Sequence, residues 1–273
     1  MNAYYDKLVF ITGGSSGIGL ALAKQVFGQG ASVFILAEDL TKLTKAQQEI
    51  ERSRINSGQK LQTASANVAQ IELLEPVITQ SIASFGIPDF IINCAGVSRP
   101  GYFEELTPEI FKWTMDINFH GTVNVIKLFL PYLEEHHKGH IINFSSLAGA
   151  IGLFGYTAYG SSKYAIRGFS DALRAELKPK GIKISVVFPS DTDTPQLAWE
   201  NQFKPSETRI IDGTAKPVSA DFVASVVLKD AARGKYNIVP GFSAKLFFFV
   251  ATHLGGIVYP VIDRLVRDAQ KQS

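Results

Sequence analysis

Tyr159 and Lys163 stand four residues apart in Tyr159-Gly160-Ser161-Ser162-Lys163, and Ser146 lies thirteen residues before the tyrosine. On a helix this spacing puts both side chains on one face, so the ammonium can sit beside the phenol. A tyrosine with an ordinary pKa of about 10 is a poor base at neutral pH, and a nearby cation favours its ionised form. Lowering it by about three units takes roughly 4 kcal/mol of differential stabilisation. Such a phenol can exchange a proton with a carbonyl or alcohol oxygen while Ser146 hydrogen-bonds the same oxygen. The pair alone is weak evidence, because helices also carry it by chance on a solvated face.

A second motif, Thr12-Gly13-Gly14-Ser15-Ser16-Gly17-Ile18-Gly19, follows the apolar run Leu8-Val9-Phe10-Ile11 and precedes Leu20-Ala21-Leu22-Ala23-Lys24-Gln25-Val26-Phe27. This reads as strand, glycine turn, helix. The glycines let the backbone approach a pyrophosphate, and the helix start offers free N–H groups and a positive dipole end. A lone glycine turn is often only a tight turn; this context favours nucleotide binding.

The elements that must position these groups alternate along the chain. Apolar strands are expected at 7–12, 31–36, 61–66, 88–93, 139–145, 182–188 and 236–239. Helical patterns fall at about 17–28, 40–56, 70–84, 108–134, 157–178 and 218–232. Alternation with near-continuously apolar strands predicts an α/β fold: a single-domain, Rossmann-type, doubly wound parallel sheet of about seven strands, with helices on both faces. Ligands then bind beyond the strand carboxyl ends, where the strand order switches. At 273 residues the chain suits one large domain, and its charge of +2 is too small to argue for nucleic acid. A single cysteine, Cys94, excludes an intrachain disulfide and gives no metal-ligand spacing, and it reads as a small core residue. The first strand begins within a few residues, so no signal peptide or N-terminal anchor is expected. These features favour a reducing, cytoplasmic setting, which is the expectation.

Together these residues resemble the short-chain dehydrogenase/reductase family over nearly the whole chain. Asn93-Cys94-Ala95-Gly96, Asn118 within Met115-Asp116-Ile117-Asn118, and Asn143-Phe144-Ser145-Ser146 fall in that family's order and spacing. The resemblance implies catalytic Asn118, Ser146, Tyr159 and Lys163. In it, Lys163 also holds a ribose and Asn118 anchors a water in a proton relay. Ser145 is the competing hydroxyl, and the spacing to Tyr159 favours Ser146. The implied dinucleotide contacts are Gly13, Ser15, Ser16, Gly17, Ile18, Gly19, Glu38, Lys42, Asn67, Val68, Asn93, Ala95, Gly96, Pro189, Thr192 and Thr194, with Tyr159 and Lys163; no metal is implied. The family carries NAD(H) or NADP(H). Glu38 follows the second strand where reductases that use NADPH place an arginine, which favours NAD(H). Ala37 sits where many NAD-dependent members carry aspartate. Lys42 matches a lysine that meets the 2′-phosphate, and family membership leans slightly to NADP(H). Asn67 stands where an aspartate commonly meets the adenine amine.

The segment Phe188-Pro189-Ser190-Asp191-Thr192-Asp193-Thr194-Pro195, continuing through Glu200-Asn201, Lys204-Pro205 and Glu207-Thr208-Arg209, is similar to members that reduce the ketone of a long-chain sphingoid lipid. So is Gly152-Leu153-Phe154-Gly155-Tyr156-Thr157-Ala158-Tyr159. The resemblance therefore implies a long-chain, lipid-like ketone substrate. Leu153, Phe154 and Tyr156 are expected to wall its channel, with the loop after Thr194 as a lid. Another apolar ketone (steroid, retinoid or 3-oxoacyl) is the alternative. A redox-sensing or lipid-binding family member without turnover is a further one, disfavoured by the intact Asn118, Ser146, Tyr159 and Lys163.

Residues 1–240 are expected to form the dinucleotide-binding and catalytic domain, with a substrate loop at about 190–216, and 241–273 an apolar C-terminal extension. Residues 246–262 contain no Asp, Glu, Lys or Arg. This stretch is at the short edge for a bilayer span, and Gly255, Gly256 and Pro260 weaken it as one. An interfacial helix in peripheral contact with the cytosolic face of a membrane, a hydrophobic surface of a homo-oligomer (dimer or tetramer), or a buried terminal helix are the readings that remain.

Overall fold

The computed structural model describes residues 3–213 and 216–271. Residues 214–215 of the expected substrate loop, and 1–2 and 272–273 of the two expected regions, lie outside the described residues. In chain order the strands are β1 (Leu8–Thr12), β2 (Ser32–Ala37), β3 (Leu61–Ser65), β4 (Phe90–Asn93), β5 (Gly139–Phe144), β6 (Ile182–Val187), β7 (Thr192–Asp193), β8 (Val218–Ser219) and β9 (Asn237–Ile238). Seven of them form one parallel sheet in the order β3-β2-β1-β4-β5-β6-β9, and β7 pairs only with β8. The chain builds outward from β1 to β3 and then returns to place β4 on the other side of β1. The switch in strand order thus lies between β1 and β4, where a ligand crevice is expected.

The helices are α1 (Gly17–Phe27), α2 (Leu40–Glu51), α3 (Ile71–Phe85), α4 (Pro108–Met115), α5 (Gly121–Glu135), α6 (Thr157–Leu177), α7 (Pro195–Glu200), α8 (Ser206–Asp212), α9 (Ala220–Ala232), α10 (Phe242–His253) and α11 (Gly255–Gln270). Successive strand residues point to opposite faces, so each strand feeds two cores. Val9 and Ile11 pack with Leu22, Val26, Val223 and Val227 of α1 and α9. Phe10 points the other way and meets Phe34 at 5.1 Å and Phe129 of α5 at 4.8 Å between ring centres. Both faces are covered, as the continuous apolar strands demand.

Three segments differ from the sequence expectation. The helix expected over 108–134 is one rod with a widened π turn at Asp116–His120 between α4 and α5. The expected substrate loop is not irregular throughout, because α7 and α8 lie within it. The Thr194 hydroxyl accepts from the Leu197 N–H at 3.2 Å and Pro195 fills the first helical position, two start signals in sequence. The tail folds back as a pair, α10 and α11, and among the described residues no single helix is long and apolar enough to cross a membrane. Ala244, Phe248 and Ala251 of α10 are buried, and the Phe248 ring lies 4.5 Å from Phe188. The outward side keeps Phe242, Leu246, Phe249, Tyr259, Val261 and Leu265 exposed.

Candidate active site

Parallel register brings the carboxyl ends of the central strands level: Thr12 pairs with Asn93, and Asn93 with Asn143. The Thr12 hydroxyl accepts from the N–H groups of Cys94 (3.2 Å) and Ala95 (3.1 Å), which joins the turns after β1 and β4. Thr12 opens the glycine motif, but its clamping role is visible only once β4 lies beside β1. Beyond these ends opens a cleft of about 370 Å³. It is lined by Gly13, Ser15, Ser16, Gly17, Ile18 and Gly19, by Glu38, Lys42, Asn67 and Val68, by Ala95 and Gly96, and by Pro189, Thr192 and Thr194 with Ser146 and Tyr159. Asn93, Asn118 and Lys163 lie behind this lining. Asn93 donates to Asn143 Oδ1 at 2.9 Å inside the sheet.

The glycine turn fits a dinucleotide. Gly13 has φ +67°, and a Cβ there would stand 2.8 Å from the Ala95 backbone. A Cβ on Gly19 would stand 2.2 Å from the Gly13 carbonyl oxygen. Side chains are thereby excluded at these two positions, where bare backbone faces the cleft. Ser16, at the N-cap of α1, makes no capping bond with its side chain, which leaves the first N–H groups of the helix for a pyrophosphate.

At the adenosine end, Glu38 Oε1 accepts from Asn67 Nδ2 at 3.2 Å. Asp39, missed at the sequence level, also lines the cleft; it caps α2 and pairs with the Lys42 ammonium at 3.5 Å. The Lys42 backbone N–H bond and the Lys42 side chain hold the Asp39 carboxyl below its usual range. The Asn67 side-chain oxygen, expected to accept from the adenine amine, already accepts from the Ala69 N–H at 2.8 Å and retains a second lone pair.

At the catalytic end, α6 carries Tyr159 and Lys163, and the turn after β5 carries Ser146. Ser145 donates to the Lys163 backbone carbonyl at 2.8 Å and is buried, so Ser146 is the hydroxyl that faces the cleft. The Lys163 ammonium donates to the Phe144 carbonyl at 2.9 Å and lies 5.5 Å from the centre of the Tyr159 ring. Burial lowers the lysine to about 8. The expectation that Lys163 depresses the tyrosine is not met. Burial, with the Glu200 carboxylate next, pushes the Tyr159 phenol above its ordinary value, and a Ser146 hydrogen bond pulls only partly the other way. Desolvation disfavours the phenolate, and the Glu200 carboxylate adds to it. The tyrosine is therefore held protonated, as a proton donor requires.

Asn118 sits in the π turn. Its Nδ2 donates to the Val97 carbonyl and to Ser162 Oγ, both at 2.9 Å, and its Oδ1 accepts from the Val97 N–H at 2.8 Å. This ties the loop after β4 to α6. Cys94 is not simply core: it borders the cleft, with burial pushing its thiol up to about 12. Of the expected channel walls, Leu153 and Tyr156 line the cleft. Phe154 instead lines a recess with Pro260, Ile262 and Val266 of α11, its ring 6.1 Å from Tyr102. The Thr208 hydroxyl of α8 donates to the Phe154 carbonyl at 3.1 Å and α11 lies over the same residue, a meeting that spacing along the chain does not reveal. Sequence reasoning also assigned no site role to Asp191, Glu200 and Asp212, which border the same cleft.

Residues 7–204 match the family model for short chain dehydrogenase. The chain is 42% identical over 230 residues to a Bos taurus protein named 3-ketodihydrosphingosine reductase, covering 84% of this chain and 69% of that one. It is 34% identical over 274 residues to a Dictyostelium discoideum protein of the same name, covering 95% and 82%. Among solved structures, levodione reductase superposes with a TM-score of 0.78 at 24% identity over 86% of this chain and 96% of that one. A 3-oxoacyl-[acyl-carrier protein] reductase from Brucella melitensis gives 0.75 at 25% identity, over 87% and 90%. By this match, and by its glycine turn, parallel sheet and Ser146–Tyr159–Lys163 arrangement, the chain belongs to the short-chain dehydrogenase family.

Proposed function

We propose that this protein reduces the ketone of 3-ketodihydrosphingosine, or a close long-chain analogue, to the alcohol. The observation that carries the chemistry is Tyr159 with Ser146, and Lys163 5.5 Å behind the tyrosine ring, in a cleft whose far end is a glycine turn. The observation that carries the substrate is the identity to relatives bearing that name. The dinucleotide, when bound across the glycine turn, supplies the hydride. The carbonyl oxygen then accepts a hydrogen bond from Ser146 and the proton from Tyr159 as it becomes a hydroxyl. Lys163 places positive charge behind the phenol, which limits the cost of the phenolate left behind; the family's ribose contact is assigned to the same ammonium. Asn118 fixes the loop after β4 through Val97 and ties it to Ser162, while its Oδ1, which accepts only from the Val97 N–H, keeps a lone pair for the relay water that the family resemblance assigns to it.

We propose NADH as the preferred cofactor, against the slight family lean to NADPH. Glu38 and Asp39 put two carboxylates at the 2′ end, and the Lys42 ammonium is already paired with Asp39.

The alkyl chain is proposed to leave the cleft past Leu153 and Leu197 toward the recess under α11. Each buried methylene contributes about 0.8 kcal/mol. Lengthening the alkyl chain of 3-ketodihydrosphingosine analogues is expected to raise kcat/KM by up to about fourfold per methylene until the route is filled. A flat response would count against the sphingoid substrate and favour a generic apolar ketone.

We further propose that the protein is cytoplasmic and rests peripherally on the cytosolic face of a membrane through 246–262. The exposed stripe of Leu246, Phe249, Tyr259 and Val261 supports this. Flotation with phospholipid vesicles is the check. Wild type is expected to float, and a Leu246→Ser, Phe249→Ser variant to stay in the dense fraction as a folded protein. A stripe covered by a second copy would instead leave wild type in the dense fraction and turn the variant from dimer or tetramer to monomer.

A further inference from the structure

Glu200 is a buried acid that ketone reduction by Tyr159 and Ser146 does not itself use. It ends α7, is 6% exposed, and borders the catalytic cleft together with Tyr159. Its Oε1 accepts from Gln196 Nε2 at 2.8 Å, and its Oε2 takes a long hydrogen bond of 3.3 Å from the Tyr156 hydroxyl. It has no ion-pair partner among the described residues. The neighbouring cation, Lys204, is committed to Asp212 at 2.8 Å and to Asp191 at 3.6 Å. A carboxylate taken out of water is costly unless a cation meets it. Burial accordingly favours its neutral form, and Lys204 offsets this only in part. The field of Glu200 nevertheless reaches the reacting end of the cleft, acting on both the Tyr159 hydroxyl and the Lys163 ammonium.

The substrate of the reading above supplies the missing cation. A 3-ketosphingoid base carries a primary amine on the carbon next to its ketone. With the ketone oxygen against Tyr159 and Ser146, that amine lies one carbon away, within the volume Glu200 borders. We propose that Glu200 receives the protonated amine beside the ketone and so selects 2-amino ketones over plain ketones. This rests on the sphingoid reading of the site. The pairing has a second effect. An ammonium on Glu200 offsets the negative field that tightens the hold of Tyr159 on its proton, so the correct substrate eases the proton transfer it needs.

The test uses the full chain with reduced dinucleotide and two ketones of equal chain length, one with the 2-amino group and one with hydrogen in its place. The readout is the ratio of their kcat/KM values in wild type, Glu200→Gln and Glu200→Asp. Wild type is expected to favour the amino ketone by about thirtyfold or more, the low end for losing one partner of a buried charge pair. Glu200→Gln is expected to lose most of that ratio, and Glu200→Asp to keep part of it. A wild-type ratio near one, or a full ratio in Glu200→Gln, overturns the assignment. The wild-type ratio stands even if a variant fails to fold. Chain-length dependence without amine preference removes Glu200 alone, whereas reduction of plain ketones with no turnover of the amino ketone removes the sphingoid reading and Glu200 with it.

Discussion

Tyr159→Phe is expected to lower ketone reduction by about 10²–10⁴, the range ascribed to general acid–base catalysis. The change deletes one oxygen and keeps the ring, which stands 5.8 Å from that of Tyr156. Packing of α6 and the glycine turn is therefore retained, and dinucleotide binding measured by fluorescence titration should stay close to wild type. No other hydroxyl inherits the role. Ser145 is tied to the Lys163 carbonyl, and the Tyr156 hydroxyl is directed to Glu200. Near-normal turnover in the variant would show that the proton comes from elsewhere.

Glu38→Arg is expected to move the ratio of NADPH to NADH affinity upward by about a hundredfold. A carboxylate about 4 Å from a 2′-phosphate costs roughly 1 kcal/mol per charge pair in bulk water and roughly 4 kcal/mol at an effective dielectric of 20. Glu38 is exposed, so the lower part of that range applies. Replacing a repulsion by an attraction counts it twice, giving about 3 kcal/mol. Lys42→Ala separates the contributions. If Lys42 stays with Asp39, its loss weakens both cofactors little; if it turns to a phosphate, NADPH suffers selectively. Equal affinities across wild type and both variants would mean that none of these groups meets the 2′ position.

The elements were legible where local pattern and tertiary demand agree. Leu8-Val9-Phe10-Ile11 is apolar on both sides because the sheet is covered on both faces. Gly13 and Gly19 are readable because nothing larger fits, and Tyr159, Lys163 and Ser146 because one helix and one strand end hold them. What spacing could not show is the medium around them. Four residues on a helix place an ammonium near a phenol, but whether the cation or the burial governs the proton depends on what the rest of the chain packs around both, and burial wins. Glu200 belongs to the stretch that resembles the sphingoid-ketone reductases, but no motif or spacing in that stretch assigned it a role. A lone acid in a polar loop looks solvated until α7 turns it into the cleft. The recess lined by Phe154 depends likewise on α11 returning over the loop, a contact between residues about a hundred positions apart.

The π turn at Asp116–His120 gives the α4–α5 rod an indel constraint. Such a turn holds one residue more than an α-helix would. Losing a residue between 116 and 120 would let the rod regularise with the phase of α5 kept, because the widened turn absorbs its extra residue without rotating the helix that follows. Val125, Ile126, Phe129 and Leu133 would stay against the sheet, whereas Asn118, inside the turn, would lose its grip on Val97 and Ser162. The extra residue thus serves the placement of Asn118 and of the loop after β4, so a one-residue deletion there would strip the site of its anchor while leaving the packing of α5 on the sheet in place.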